Sequence, residues 1–460
     1  MNFFKKLFAP VDMTEGTPWK KIVMFAIPML IGNIAQQLYS TVDSIVVGKY
    51  VGDNALAAVG SAAPIFNLLL VLFIGISSGA GIMVAQYFGA REKEQLASTV
   101  GTCLTLTGIA TVIIMVVGPL VSTPLLRLLN TPESIFGWCQ SYLNIMFIGI
   151  VGCAFYNILS GILRGLGDSV SALLFLLVAT VVNIALDIFC VAVLDMGVAG
   201  VALATVIAQA VSAALCMMKL VKMHDLFVLT KKDYIPTKKH SVQVVRLGLP
   251  SGITQMIFSL AMVMVQSLTN SFGEMLIAAN VIVMRVDGFA MMPNFSFGIA
   301  MTTYAGQNIG ARKMDRVVKG AKQGTLIAVT VSTVITGIIL IFGKYLMGIF
   351  TNTPDLVNLS RYIMSILAVG YIAVAVTQSL SGVMRGAGDT MTPMWISLIT
   401  TVAVRVPLAY GIAYFTRSAE HPNGMQECVF VSLLISWLIG AALTSFFYLH
   451  GEWKNKAIKK

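Results

Sequence analysis

Three carboxylates lie inside long apolar stretches of this chain: Asp43, Asp187 and Asp287. An acid within hydrocarbon costs about 2.5–3.5 kcal/mol on insertion scales, so each needs either a compensating neighbour or a task. Asp43 stands in the outer half of the stretch between Lys21 and Lys49, and Asp187 stands eight residues before Asp195 at the outer end of another. Thr205 falls roughly 12 Å below the outer end of the stretch that follows, at 1.5 Å per helical residue. Asn183, four residues before Asp187, shares its helix face one turn deeper. Two carboxylates, an amide and a hydroxyl are therefore expected at a similar depth. In low dielectric two carboxylates cannot both stay charged cheaply, and a proton or a cation must accompany them. Oxygen donors suit H⁺ or Na⁺ and do not suit Zn²⁺. No cofactor is expected, and no metal beyond Na⁺ at Asp43, Asn183, Asp187 and Thr205. The competing reading, in which both acids merely bond to nearby backbone or hydroxyl groups, is the weaker one. Two acids at matched depth are hard to maintain for packing alone.

Such a constellation requires helices that cross a membrane. Hydrophobic residues make up 57% of the chain and charged ones 11%, well under the roughly 25% of a soluble domain. Twelve spans are predicted: 22–47, 57–85, 96–118, 134–162, 170–194, 197–218, 243–269, 278–305, 320–343, 357–382, 392–416 and 427–449. Each is long enough to cross a hydrocarbon core about 30 Å thick. With the N-terminus placed inside, 24 of the 31 basic residues fall in inner segments. The formal charge of +11 thus reads as topology rather than nucleic-acid binding, with both termini cytoplasmic and the chain multi-pass in the cell membrane. The six cysteines carry no C-x-x-C pair and read as apolar packing residues.

The chain is also a duplication. Ser160-Gly161-Ile162-Leu163-Arg164-Gly165-Leu166-Gly167-Asp168-Ser169 returns 221 residues later as Ser381-Gly382-Val383-Met384-Arg385-Gly386-Ala387-Gly388-Asp389-Thr390. Gln86…Gly89-Ala90 returns as Gln307…Gly310-Ala311, and Pro28 pairs with Pro250. Each copy holds an even number of spans, so both start on the same side, and cargo usually binds between such halves. The expected fold is an all-α integral membrane protein with twelve transmembrane helices in two pseudo-symmetric six-helix lobes. The predicted divisions are a cytoplasmic N-terminal segment 1–21, an N-terminal lobe 22–218, a linker 219–242, a C-terminal lobe 243–449 and a cytoplasmic tail 450–460. Residues 1–21 read equally as a short interfacial element, with Phe3, Phe4, Leu7 and Phe8 beside Lys5 and Lys6, or as a tail. The Arg164/Asp168 and Arg385/Asp389 phrases are expected to anchor helix ends.

With these motifs in place, the chain resembles the multidrug and toxic compound extrusion (MATE) transporters along nearly its full length. The resemblance is nearest to the DinF-like branch, whose N-lobe pattern is matched by Pro28, Gln36, Tyr39, Asp43, Asn157, Asn183-x-x-x-Asp187 and Thr205. It implies that the acids bind H⁺ or Na⁺ and that the first span bends near Pro28. It also implies export of small organic cations or amphipaths by alternating access, in exchange for the ion.

Gln36, Tyr39 and Asp43 share a helix face, and Gln36, Tyr39 and Asn157 are assigned to the cargo cavity. The second lobe lacks the acids that another MATE branch carries there, so coupling is expected in the first lobe. Met256, Met284, Arg285, Gln378 and Arg405 are its candidate cavity residues; soft methionines suit varied cargo, though such residues more often only pack. Asp287 is expected mainly to neutralise an arginine on a neighbouring helix. A lipid-linked precursor flippase is the alternative, kept open by Arg285 and Arg405 and opposed by twelve spans and the Asn183/Asp187 pair. An enzyme is disfavoured, because no histidine shows ligand or nucleophile–base spacing within a span. The expected partners are small organic, cationic compounds and the lipid bilayer, with no nucleic acid and a monomeric protein.

Overall fold

The structure, a computed structural model, describes residues 10–129, 131–419 and 421–458; the side chains of Ser40, Asp43, Ser44, Asp53 and Leu72 lie outside the description. So do residues 1–9, with the interfacial element expected there. Among the described residues every regular element is helical. They are α1 (Pro18–Tyr50), α2 (Asp53–Gly89), α3 (Lys93–Leu128), α4 (Glu133–Ile148), α5 (Ile150–Gly165), α6 (Ser169–Asp187) and α7 (Gly197–Val221). The second set is α8 (Lys238–Asn270), α9 (Glu274–Gly310), α10 (Met314–Gly348), α11 (Pro354–Ala368), α12 (Gly370–Gly386), α13 (Met391–Leu398), α14 (Arg405–Phe415) and α15 (Cys428–His450). Two π-helical segments, Ile188–Val193 and Ile399–Val404, interrupt the spans that hold α6 and α14. Among the described residues ten helices are long and apolar enough to cross a membrane, and up to twelve spans result when each of two bent pairs counts as one.

The bends have local causes. α4 meets α5 at 52° and α11 meets α12 at 42°. The first falls at Gly149, where a Cβ would come within 2.3 Å of Val206 on α7; at Gly370 a Cβ would lie 2.4 Å from the Trp437 ring on α15. Each bend thus seats backbone against a bulky side chain that any larger residue would displace. The duplication is equally visible in the turns. Positive φ recurs 221 residues apart at Gly52 and Gly273 (107° and 96°), Arg91 and Arg312 (60° and 59°), and Gly167 and Gly388 (89° and 94°).

The chain divides into two compact units, one of Ile27–Gly252 with the stretch ending at Asp12, the other of Met13–Ala26 with Ile253–Lys460. Both divisions fall inside a helix next to a proline, Pro28 in α1 and Pro250 in α8. Proline withholds one ladder hydrogen bond and crowds the preceding turn, so it marks the weakest point of each helix. In the first unit α2 packs on α5, and α7 packs on α5 and α6, around a core that includes Phe66, Phe73, Leu143, Phe147 and Val201. In the second, α9 packs on α12 and α12 on α15, around Leu276, Val283, Tyr371 and Phe430.

The residues leading into α1 are built into the second unit. Met13 is fully buried; its N–H donates to Gln307 Oε1 at 2.9 Å and its carbonyl accepts from Asn308 Nδ2 at 3.1 Å. Arg316 donates to the carbonyls of Met13 and Gly16 at 3.2 and 2.9 Å, and Lys313 to that of Thr14 at 3.0 Å. The segment leading into α8 is held on the first unit in a similar way. Thr105 donates to the Tyr234 carbonyl at 2.7 Å, Lys93 to that of Asp225 at 2.8 Å, and His240 Nε2 meets Gln95 Oε1 at 3.0 Å.

Candidate functional site

α6 starts where Asp168 accepts from the Ser171 backbone N–H at 2.9 Å and from its hydroxyl at 2.7 Å, satisfying donors at the helix N-terminus. An apolar run then carries the helix to its last turns, which present Asn183 and Asp187, both fully buried. Directly after Asp187 the π segment begins; its wider turn shifts the following side chains around the axis, a feature frequent at functional sites. α7 returns alongside, with Gly200 close against Cys190, and this approach brings Thr205 opposite the end of α6. Asn183 Nδ2 donates to Thr205 Oγ1 at 3.5 Å, and the Tyr39 hydroxyl of α1 donates to the same oxygen at 3.4 Å. Both bonds are long, so three helices meet at one hydroxyl without being locked there.

The structure therefore joins Asn183 and Thr205, as the spacing led one to expect, and adds Tyr39, which the sequence reading had assigned to the cavity. No spacing rule could have found that contact, because it depends on how far α1 is rotated against α7. Asp43 lies on α1 one turn beyond Tyr39, but its side chain falls outside the described residues. Gln36 is exposed, one turn before Tyr39. Asn157 turns its amide back onto its own helix, donating to the Cys153 carbonyl at 2.8 Å. The donors gathered on α6 and α7 are a carboxylate, an amide and a hydroxyl. Among the described residues no cluster of three His, Cys, Asp or Glu side chains forms.

In the second unit the Tyr371 hydroxyl donates to Asp287 Oδ1 at 2.9 Å, and Arg405 is the basic residue whose charge acts on Asp287. The two ion pairs within 4.0 Å among the described residues lie elsewhere, Asp12 with Arg91 and Asp168 with Lys219. Asp287 and Arg405 therefore balance each other without touching. Met256, Met284 and Arg285 are exposed and Gln378 is half-buried. A shallow cavity of about 480 Å³ is lined by Met262, Val263, Gln266, Ser267 and Asn270 of α8 and includes none of these charged residues.

The repeated phrase divides its labour. Asp168 and Asp389 cap helices, the latter accepting from Thr392 N–H at 3.3 Å and its hydroxyl at 2.8 Å. Burial pushes the Asp168 carboxyl above its ordinary range, while the bonds from Ser171 and the charge of Lys219 pull it back down. Only the third glycine of the phrase takes the turn. Gly165 and Gly386 instead allow close helix packing, since a Cβ would fall 2.6 Å from the Gly81 carbonyl and 2.3 Å from that of Thr302. Arg164 does not pair with the acid that follows it; it donates to Ser160 Oγ at 3.2 Å.

Comparison with known proteins fits these features. The family model MatE matches residues 28–189 and 250–411. The probable multidrug resistance protein YoeA of Bacillus subtilis is 32% identical over 413 residues, 88% of this chain and 89% of that protein. The probable multidrug resistance protein YpnP of the same organism is 30% identical over 443 residues, 96% of this chain and 97% of that protein. Among solved structures, an outward-facing multidrug resistance MATE family transporter of the MOP superfamily superposes with a TM-score of 0.88. It is 25% identical, with 95% of this chain and 97% of that one covered.

Proposed function

The chain belongs to the MatE family, and from that premise we propose that it exports small organic, cationic or amphipathic compounds in exchange for H⁺ or Na⁺. It is a multi-pass membrane transporter; the ion, the cargo and the residues that couple them are our reading. The observation that carries it is the buried polar junction of Asn183, Thr205 and Tyr39 beside the fully buried Asp187. A carboxylate enclosed in an apolar bundle is stable only with a proton or cation at hand. An ion that enters from outside and binds here changes the fit between α1, α6 and α7, since all three contribute to the junction. To drive transport it must bind one conformation better than the other; otherwise it shifts nothing. Asp43, one turn from Tyr39, is the second acid of the coupling site, and Pro28 is the point at which α1 yields. The site with its proton or cation removed is anionic, which favours cationic cargo. Both termini lie in the cytoplasm and the protein works in the cell membrane as a monomer.

The test uses proteoliposomes holding wild type, Asp43→Asn or Asp187→Asn, with a fluorescent cationic dye and an imposed gradient of protons, then of sodium. Wild type should move the dye under one gradient, and both variants should lose at least tenfold of that flux. Undiminished gradient-driven flux in both variants would remove the first-lobe acids from the mechanism.

A further inference from the structure

We propose that Arg405 recognises an anionic group, a carboxylate, carried by part of the cargo. This inference rests on the transporter reading and adds a substrate class to it. Arg405 opens α14 directly after the π segment Ile399–Val404, within a span of Met391–Phe415. An arginine in hydrocarbon costs about as much as an acid there and needs partners. Its guanidinium offers five N–H donors, and none of them reaches a hydrogen-bond acceptor among the described residues. The Nε is sealed from solvent with no partner, which by itself leaves a buried donor in deficit. The residue as a whole is half-buried, so the terminal nitrogens are the part that a ligand can reach.

Asp287 does not remove the deficit. It acts on Arg405 through its charge, but the pair is absent from the contacts within 4.0 Å and the Asp287 Oδ1 accepts from Tyr371. Tyr371 is itself fully buried in the second unit's core, so that bond holds the carboxylate in place. Asp287 lowers the cost of the arginine's charge and leaves its donors open. A planar guanidinium with open terminal nitrogens matches a carboxylate or phosphate in geometry as well as charge.

Position decides between the sources of such an anion. Arg405 is the first of the eleven residues of α14, so it stands about 15 Å at helical rise from the end of its span, too deep for a lipid headgroup. The family match runs over 28–189 and again over 250–411, and in that register Arg405 stands where the first copy has Asn183. The two copies thus carry a polar group at equivalent positions, Asn183 ahead of the first copy's π segment and Arg405 just behind the second's. The first copy offers an amide next to an acid, suited to a cation. The second offers a guanidinium, suited to an anion. Cargo that carries a carboxylate is the class this arrangement in the second copy admits.

The experiment measures binding of two dyes to the purified full-length transporter by fluorescence anisotropy: rhodamine 123, a cationic methyl ester, and rhodamine 110, its free carboxylate. Gradient-driven uptake in proteoliposomes follows for both. Arg405→Gln should weaken rhodamine 110 binding at least tenfold and leave rhodamine 123 within twofold; Arg405→Lys, which keeps the charge but not the fork, should fall between. Asp287→Asn/Arg405→Gln removes the charge imbalance and guards against a variant that simply misfolds. It should bind the ester like wild type and still bind the free acid weakly. Recovery of both dyes to wild-type affinity in that double variant would overturn the proposal, because Arg405 would then serve only to balance Asp287. Equal loss of both dyes in Arg405→Gln, or no binding of the free acid to wild type, would overturn it as well. Gradient-independent dye movement in wild type would instead count against the coupled-transport reading, while the binding contrast would still be read.

Discussion

At the residue scale the decisive atom is Thr205 Oγ1, which accepts from both Asn183 and Tyr39. Thr205→Val keeps the shape and deletes the acceptor, removing one hydrogen bond from the fully buried Asn183 amide. Losing a hydrogen bond costs about 0.5–1.5 kcal/mol. The expected outcome is a lower melting temperature in detergent together with at least a tenfold loss of gradient-driven dye flux, and Thr205→Ser should restore both. The pair of readouts matters. If Thr205→Val loses stability but keeps full coupled flux, the junction is only a packing device. The sequence reading found Asn183 and Thr205 because helical rise and spacing fix depth along one span. It assigns Tyr39 to the cavity and does not pair it with Thr205, because rotation between spans leaves no trace in spacing. Arg405 stood out in the sequence as a charge inside a span, but its unengaged donors became visible only once α9, α12 and α14 were placed.

At the element scale, the spans and the duplication were readable because apolar runs and recurring phrases survive averaging over twenty residues. The bends were not, since a hydropathy window treats 134–162 as one stretch and passes over Gly149. The reason for the bend lies on another helix, in Val206 of α7. Gly149→Ala would set a Cβ within 2.3 Å of the Val206 side chain, and overpacking of this kind costs about 1–3 kcal/mol. Because the obstacle is a side chain rather than backbone, it can be removed. Gly149→Ala should lower the melting temperature, and adding Val206→Gly, which removes the Val206 Cβ at 2.9 Å as well as both methyls, should recover more of the loss than Val206→Ala. At Gly152 the same reasoning predicts no such rescue, since a Cβ there would meet the Ala210 backbone N at 2.5 Å. A Gly149→Ala protein as stable as wild type would mean that the bend is set elsewhere in α4 and α5. The π segments were equally hidden: their sequences, IFCVAV and ITTVAV, carry no glycine or proline to mark an interruption, and only the packed ladder reveals the extra residue in the turn.

At the scale of the whole molecule, the charge distribution makes a statement about orientation that folding alone does not. With the N-terminus inside, 24 of 31 basic residues fall on inner segments, spread over both copies and the linker between them. Each copy holds an even number of spans, so the two copies orient alike and their charge biases add. Positive-inside preferences act through residues close to the span ends, and here the basic residues lie at such ends: Arg91 after α2 and Lys93 at the start of α3, Arg312 and Lys313 after α9, and Lys219 in the last turn of α7 with Lys222 just after it. A bias distributed in this way resists any single substitution. Lys20→Gln/Lys21→Gln should therefore leave the topology unchanged, whereas a topology set by the first span alone would become mixed. The check is a pair of reporters: a fluorescent protein fused at the C-terminus should fluoresce, and alkaline phosphatase should be inactive there and active when inserted at 421–424, between α14 and α15. Phosphatase activity at the C-terminus would reverse the orientation and, with it, the direction from which the coupling ion reaches Asp187.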